Sequence, residues 1–351
     1  PPRAEKGLWG LYLTGFSHDL SLAPNEFARS PRTLQKTFQH YQQSRGVLRA
    51  RKFRGPQWLI RNGQATPIVR GEALIPLAEV TPQRIQQAAI ALGRFEGRLV
   101  RQNYGHFPYR FQVLDGKPSE QERILVRNVL GTWSLANFAK WTGKDQDREV
   151  ALLNIKTTVG RFGHWVDDAA YIADREFAFL GSQAFVALAI LNLPQPPADL
   201  LRWERGIAQA ILKSVRKKDD GYSYFVTTLP LPGLPPPDPG YNPEKDPNQY
   251  FFPGETLTYL AAKARQDPAG PWLDTYDQVF PTYRQRFRRI PHPAAVPWLA
   301  QACVQRYRCD KSSEARDFAF EVVDWHLDNL QPFAEMDPFL RGSPINPNHK
   351  R

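Results

Sequence analysis

Residues 119–143 read SEQERILVRNVLGTWSLANFAKWTG. The order of side chains in this stretch predicts a helix. Ser119 can cap it, and Glu122, three residues on, can reach back to the cap N–H in the manner of a capping box. Behind the cap, Val126, Val129, Leu130, Trp133 and Ala136 return at intervals of three and four, so they share one face of a 3.6-residue helix. Gly143 marks the stop, because glycine enters the left-handed conformation without a Cβ clash. An amphipathic rod of this kind must lay its apolar face on another element.

Working outward, the same signature recurs. Thr81-Pro82 supplies a cap followed by proline at the first helical position, where the missing N–H costs nothing. Leu200, Trp203, Ile207, Ala210 and Ile211 form one further stripe. Trp272, Tyr276, Val279, Phe280 and Tyr283 form another, and Phe318, Val322 and Trp325 a third. Further helices are expected over 147–161, 176–192, 254–265 and 294–307. Short aromatic, strand-like pieces lie between some of them: Phe107 to Leu114 before Asp115-Gly116, and Tyr222 to Thr228 after Asp220-Gly221. A proline-rich loop, Pro230 to Pro247, follows the second.

The first 78 residues differ. Leu8 to Phe16 is short and aromatic, and Gln57 to Ile60 and Thr66 to Val69 flank Asn62-Gly63, whose tolerance of positive φ suits a hairpin. Residues 1–78 therefore read as a β-containing or irregular segment with a short helix over Arg32 to Gln43, and residues 79–351 as a helical domain. The expected class is mostly α. Helices of similar length joined in antiparallel pairs can close into an (α/α) toroid whose inner members bury both sides and whose loops at one end line a central cavity. An open helical solenoid is the main alternative.

Composition sets the outer limits. Of 351 residues, 42% are hydrophobic and 12% aromatic, enough apolar surface to offset ordering entropy and exclude a disordered chain. No apolar run approaches the roughly 18 residues of a membrane span; the richest, Phe177 to Leu193, is broken by Gly181, Ser182 and Gln183. The formal charge of +11 would attract an acidic polymer, an anionic membrane surface or nucleic acid. Its clusters, Arg49 to Arg54, Arg216 to Lys218 and Arg284 to Arg289, come with no recognised nucleic-acid module and read as solvated surface, so nucleic acid is not the expected partner. Cys303 and Cys309 would stand about 9 Å apart on a continuous helix, too far for a disulfide, and read as free thiols. Because the chain starts at Pro1, a removed leader or ordinary trimming is expected, and the former favours a periplasmic or secreted location over a cytoplasmic one.

One segment carries a resemblance. Asn248-Gln249-Tyr250-Phe251-Phe252-Pro253-Gly254-Glu255, followed by Thr256-Leu257-Thr258-Tyr259-Leu260, resembles the Tyr-x-Pro-Gly-Glu-x-Leu helix start found in some six-hairpin, (α/α)6-toroid proteins that process polysaccharides. Asp324-Trp325 and the Asp115-Gly116 turn are similar in flavour. The resemblance spans about residues 80–340. It implies relatives among glycoside hydrolases, uronate lyases and sugar epimerases, and also among members without catalysis. Nine or ten helices are found where a full toroid has twelve, so the ring is incomplete or is partly supplied by the N-terminal segment.

A glycosidase commonly needs two carboxyl groups, one protonated and one ionised, flanking the scissile bond. Asp167 and Asp168 follow Gly163-His164-Trp165 in a loop between helices. Glu255 falls in the first turn of a helix, where the dipole favours the ionised form and hence a base or nucleophile. Asp324 lies mid-helix. Trp165, Tyr222, Tyr224, Tyr250 and Phe251 fall in loops or helix starts and offer ring faces to the apolar C–H faces of sugars. No cofactor is expected. Nor is a metal: the histidines, among them His164, His292 and His326, have no close ligand spacing. Gly160-Arg161-Phe162-Gly163 lacks the lysine of a phosphate loop, and no Gly-x-Ser-x-Gly elbow occurs. The expectation is a carbohydrate-active protein working on a polysaccharide, an acidic one if the net charge guides the choice, by carboxylate acid/base chemistry. The alternative is a non-catalytic toroid that binds a glycan or partner protein.

Overall fold

The computed structural model describes residues 10–15, 20–22, 34–45, 47–53, 57–61, 64–69, 72–73, 77–108, 110–112, 117–119, 125–174, 177–217, 221–229, 231 and 241–329. Most of them are helical, in ten α-helices. The chain divides into two compact units, 1–87 and 88–351.

In the first unit, β1 (Gly10–Gly15) lies between β2 (Leu20–Leu22) and β3 (Val47–Phe53) in an antiparallel sheet, with α1 (Leu34–Arg45) leading into β3. Alternation dictates its small core: Leu11 and Leu13 point to one face, against Leu20, Leu22, Phe38 and Tyr41, while Tyr12 between them is exposed. A second antiparallel sheet joins β4 (Gln57–Arg61), β5 (Gln64–Val69) and β6 (Glu72–Ala73). Arg61 pairs with Gln64, so the strands meet on either side of the expected Asn62-Gly63 turn, which itself lies outside the described residues. The Thr81 hydroxyl accepts a hydrogen bond from the Arg84 N–H at 3.2 Å, capping α2 (Pro82–Gln102) as its sequence predicts.

The second unit is built on helix pairs. α3 (Leu125–Thr142) is followed by α4 (Asp145–Phe162), α5 (Leu180–Asn192) by α6 (Ala198–Leu212), α7 (Phe252–Ala264) by α8 (Trp272–Arg289), and α9 (Val296–Asp310) by α10 (Ser313–Asp328). The first members α3, α5, α7 and α9 pack side by side in that order, and each second member packs on its own partner. The layering follows from composition. Every residue of α5 from Leu180 to Leu191 is buried, as is every residue of α7 from Phe252 to Ala261, which marks both as inner helices apolar all round. The stripe Trp272, Tyr276, Val279, Phe280 and Tyr283 of α8 is buried while Arg288 and Arg289 face water, the pattern of an outer helix. Glycines on α2 seat it close: a Cβ on Gly93 would meet the Phe138 ring at 2.6 Å, and one on Gly97 would meet Val150 at 3.5 Å.

The connections sort by length. Within pairs they are short; α3 turns into α4 at Gly143, whose φ of +63° is the left-handed stop expected there. The connections from the first pair to the second and from the second to the third are longer and carry small antiparallel strands: β9 (Gly163–Val166) with β10 (Ala169–Ile172), β11 (Ala178–Phe179) with β14 (Thr228–Leu229), and β12 (Val215–Lys217) with β13 (Ser223–Phe225). Gln183, fully buried on α5, fastens one of these to the inner row: its side chain accepts from the Ile172 N–H and donates to the Ile172 carbonyl, both at 2.8 Å.

Two expectations are corrected. Ser119 does not cap a helix; it closes β8 (Lys117–Ser119), paired with β7 (Arg110–Gln112), while 120–124 lie outside the described residues and α3 runs from Leu125. The helix expected from 176 begins at Leu180, because Ala178 and Phe179 pair with β14. Cys303 and Cys309 share α9 and are both free.

Candidate functional site

The residues singled out by sequence sit where the inner helices begin, or on the outside. Asp167 and Asp168 form the two-residue tip of the β9–β10 hairpin, Asp167 with φ +52°. Asp168 is exposed and ion-paired with Lys213 at 2.5 Å, which holds its carboxyl below the ordinary carboxylate range. Asp324 is exposed on the outer helix α10. Trp165 packs on Trp203 at 5.1 Å with the Arg202 guanidinium over its ring at 4.9 Å. The Tyr222 hydroxyl accepts from Gln285, Tyr224 stacks on Tyr241, and Tyr250 is sandwiched with His292 and Arg286. Phe251 is partly exposed. Tyr250 edges a gap of about 10 Å³ with Gln249, Tyr283 and Arg286, room for a water at most.

Glu255 corrects the electrostatic expectation. It does occupy the first turn of α7, but it is only 3% exposed, and its Oε2 has no hydrogen-bond partner. Burial pushes its carboxyl up from 4.5 to about 8, so at neutral pH it is protonated and not the ionised base that the helix dipole suggested. The dipole is worth about 0.3–1 kcal/mol at a helix end, and the cost of sealing a charge away from water exceeds it. The seal comes from neighbouring helices: Oε2 stands where a Cβ on Gly181 would be, with Phe252 beside it. No second carboxylate bonds to it among the described residues. The four candidate carboxylates thus sit in different settings: Asp167 and Asp168 on a hairpin tip, Asp324 exposed on an outer helix, and Glu255 buried at the start of an inner one.

A hollow does occur, at the other end of the row. It has a volume of about 460 Å³ and is walled from the middle to the C-terminal ends of all four inner helices: Trp133, Asn137 and Lys140 of α3; Leu188, Leu191 and Asn192 of α5; Thr258 and Ala262 of α7 with Arg265 and Gln266 just past its end; and Gln301, Gln305 and Arg308 of α9. Ten residues of helix, about 15 Å, separate Glu255 from Arg265. None of the four candidate carboxylates and none of the five candidate aromatics lines it.

The chemistry of this wall is specific. Five carboxamides, Asn137, Asn192, Gln266, Gln301 and Gln305, each offer donors and an acceptor. They are partly tied together: Asn192 donates to Asn137 at 2.9 Å, Lys140 donates to Asn192 at 3.3 Å, Arg265 donates to Gln305 at 3.3 Å, and Gln266 donates to the Leu191 carbonyl at 3.2 Å. Among the described residues no lining side chain is acidic, and no ion pair reaches Lys140, Arg265 or Arg308. Cations near helix C-termini partly neutralise the dipole ends. Four ends at about half a negative charge each sum to roughly −2, against three full positive charges, which leaves a surplus of about +1 facing the hollow. Trp133, Leu188 and Leu191 supply an apolar strip beside these polar groups.

The wall is not legible in the sequence because most of its polar members lie near the ends of helices, where solvent exposure is the ordinary fate. The one available signal was the shared position of Asn137 and Lys140, Asn192, Gln266, and Gln305 and Arg308 at the ends of helices whose faces are otherwise apolar. Among the described residues, no three His, Cys, Asp or Glu side chains converge as metal ligands, and no helix is long and apolar enough to cross a membrane. The fold and site together define a class: a protein of stacked helix pairs with a polar, positively charged hollow at the shared end of its inner helices. The chain matches no protein-family model, and no curated protein is significantly similar to it.

Proposed function

We propose that this protein is a non-catalytic glycan-binding member of the (α/α) architecture, and that its hollow receives an anionic, hydroxyl-rich ligand of the acidic-oligosaccharide class. The observation that carries this reading is the wall: five carboxamides, three cations without an ion-pair partner among the described residues, and an indole edge around about 460 Å³. Carboxamides match hydroxyl groups because both donate and accept; guanidinium groups match carboxylate or sulfate. An apolar strip suits the C–H face of a sugar ring. The helix order supports an incomplete (α/α) ring, four pairs with α2 added at the start, as the frame that holds the hollow. Hydrolysis is not part of the reading, since the protonated Glu255 is walled off by Gly181 and Phe252 and, among the described residues, bonds to no second carboxylate.

The test is calorimetric titration with short oligouronates and sulfated oligosaccharides at low and high salt. Binding is expected to weaken as salt rises. Arg265→Gln and Arg308→Gln are each expected to weaken it about tenfold, since a charge-assisted hydrogen bond contributes about 1.5–3 kcal/mol. No binding by any of these sugars at low salt overturns the reading. Turnover of a polysaccharide that Glu255→Gln abolishes would replace it with the hydrolase alternative.

A further inference from the structure

Trp133, which lines the hollow, is backed by an aromatic layer. Phe185, 1% exposed on α5, stacks on Trp133 of α3 at 5.5 Å and meets Trp298 of α9 edge-on at 5.4 Å. One ring thus bridges the first and last inner helices. Trp133 belongs to the wall itself, and the other two rings lie behind it: Phe185 precedes the wall residue Leu188 by three positions and Trp298 precedes Gln301 by three.

Below that layer the inner helices touch. A Cβ on Gly181 would lie 2.3 Å from Glu255 Oε2 and 2.6 Å from the Phe252 ring, which closes α5 onto α7. A Cβ on Gly254 would lie 2.7 Å from the Trp298 Cβ and 2.9 Å from its carbonyl carbon, which closes α7 onto α9. The approaches of α5 to α7 and of α7 to α9 are therefore tight at their N-terminal ends, and the hollow lies towards the ends where these helices finish. Most polar wall groups are gathered near those ends, with Thr258 and Gln301 nearer mid-helix, and the aromatic layer lies behind them.

We infer that the hollow is a blind, end-reading pocket: it takes the terminal rings of an acidic saccharide chain and does not hold the chain's interior. The inference rests on the glycan reading above and adds which part of the glycan is bound. A volume of about 460 Å³ sits low in the range of about 300–1,000 Å³ typical of small-ligand sites. A polymer passing through would need an exit, and the Trp133–Phe185–Trp298 layer stands in its way. The terminal ring is set against Trp133, with its carboxylate at Arg265 and Arg308 and its hydroxyls on the carboxamides.

The experiment compares trigalacturonate with long polygalacturonate. Calorimetry and light scattering then count protein molecules bound per sugar chain. One protein per chain, whatever its length, is expected, with affinity per chain equal for trimer and polymer and lost when the recognised end carries a bulky cap. Protein bound in proportion to chain length, or polymer binding without trimer binding, overturns end-reading and leaves glycan binding standing. Failure of both sugars, together with every other acidic oligosaccharide, overturns the reading beneath it. Gln301→Trp, at an exposed position on the wall, fills the hollow without threatening the core and is expected to weaken trimer binding at least tenfold with an unchanged melting temperature. Unchanged trimer binding in that variant places the ligand elsewhere and overturns the proposal.

Discussion

The two ends of the inner-helix row are built on opposite principles. At the N-terminal end, Gly181 and Gly254 let backbones and rings approach closely, and the one ionisable group between them, Glu255, is stripped of water. At the C-terminal end, long polar side chains hold the helices' last turns around open space and keep their charges hydrated. The same four helices thus spend one end on packing and the other on exposed chemistry. Close packing transmits any change in volume directly into strain, while a hydrated rim absorbs it. The comparison teaches that stability and recognition are separated along the helix axes, and it sets where substitutions will hurt the fold and where they will hurt only binding.

The sharpest way to break it is Gly254→Val. The new side chain would strike the Trp298 Cβ and backbone, which cannot yield as a flexible side chain would, and a loss of about 3 kcal/mol or more in urea unfolding is expected. A midpoint within error of the wild type would mean the α7–α9 approach is not tight.

Next in size is Glu255→Gln. The folded protein holds a proton on Glu255 up to about pH 8, whereas the unfolded chain releases it near 4.5. The folded state therefore binds more protons throughout that window, so its stability is full below about pH 4.5, falls as pH rises towards 8, and levels off above. Glutamine cannot titrate. The variant is expected to lose this slope and to be more stable than the wild type above pH 8, by an amount on the order of a few kcal/mol. Parallel pH–stability profiles for the two proteins would show that Glu255 is solvated after all.

Smallest is Lys140→Ala at the rim. Its single hydrogen bond to Asn192 is long, and its side chain is exposed, so stability is expected to change by less than about 0.5 kcal/mol. Affinity for an acidic saccharide should nonetheless fall. A loss of stability as large as that of Gly254→Val would erase the distinction between the two ends.

The helical class was legible because it depends on local periodicity. The buried stripe of α8 is the one its sequence names, Thr81 caps α2, and Gly143 stops α3. Ser119 shows the limit: its capping-box spacing is real, but pairing with Arg110 draws it into a strand. Glu255 shows a second limit. Its position in a first turn was readable, but the sign of its pKa shift depends on Gly181, 74 residues earlier in the chain, which no local pattern connects to it.

What the sequence determined by itself was therefore the set of rods: where most begin and end, and which face of each is apolar. These follow from hydrogen bonds and contacts within a few residues. Tertiary structure alone decided which end of the rods closes and which stays hollow. That outcome depends on glycines and aromatic rings from separate helices meeting at one depth, and on amides and cations, scattered from 137 to 308, arriving at one rim. Such meetings are set by how the helices pack on one another, a property no single segment carries.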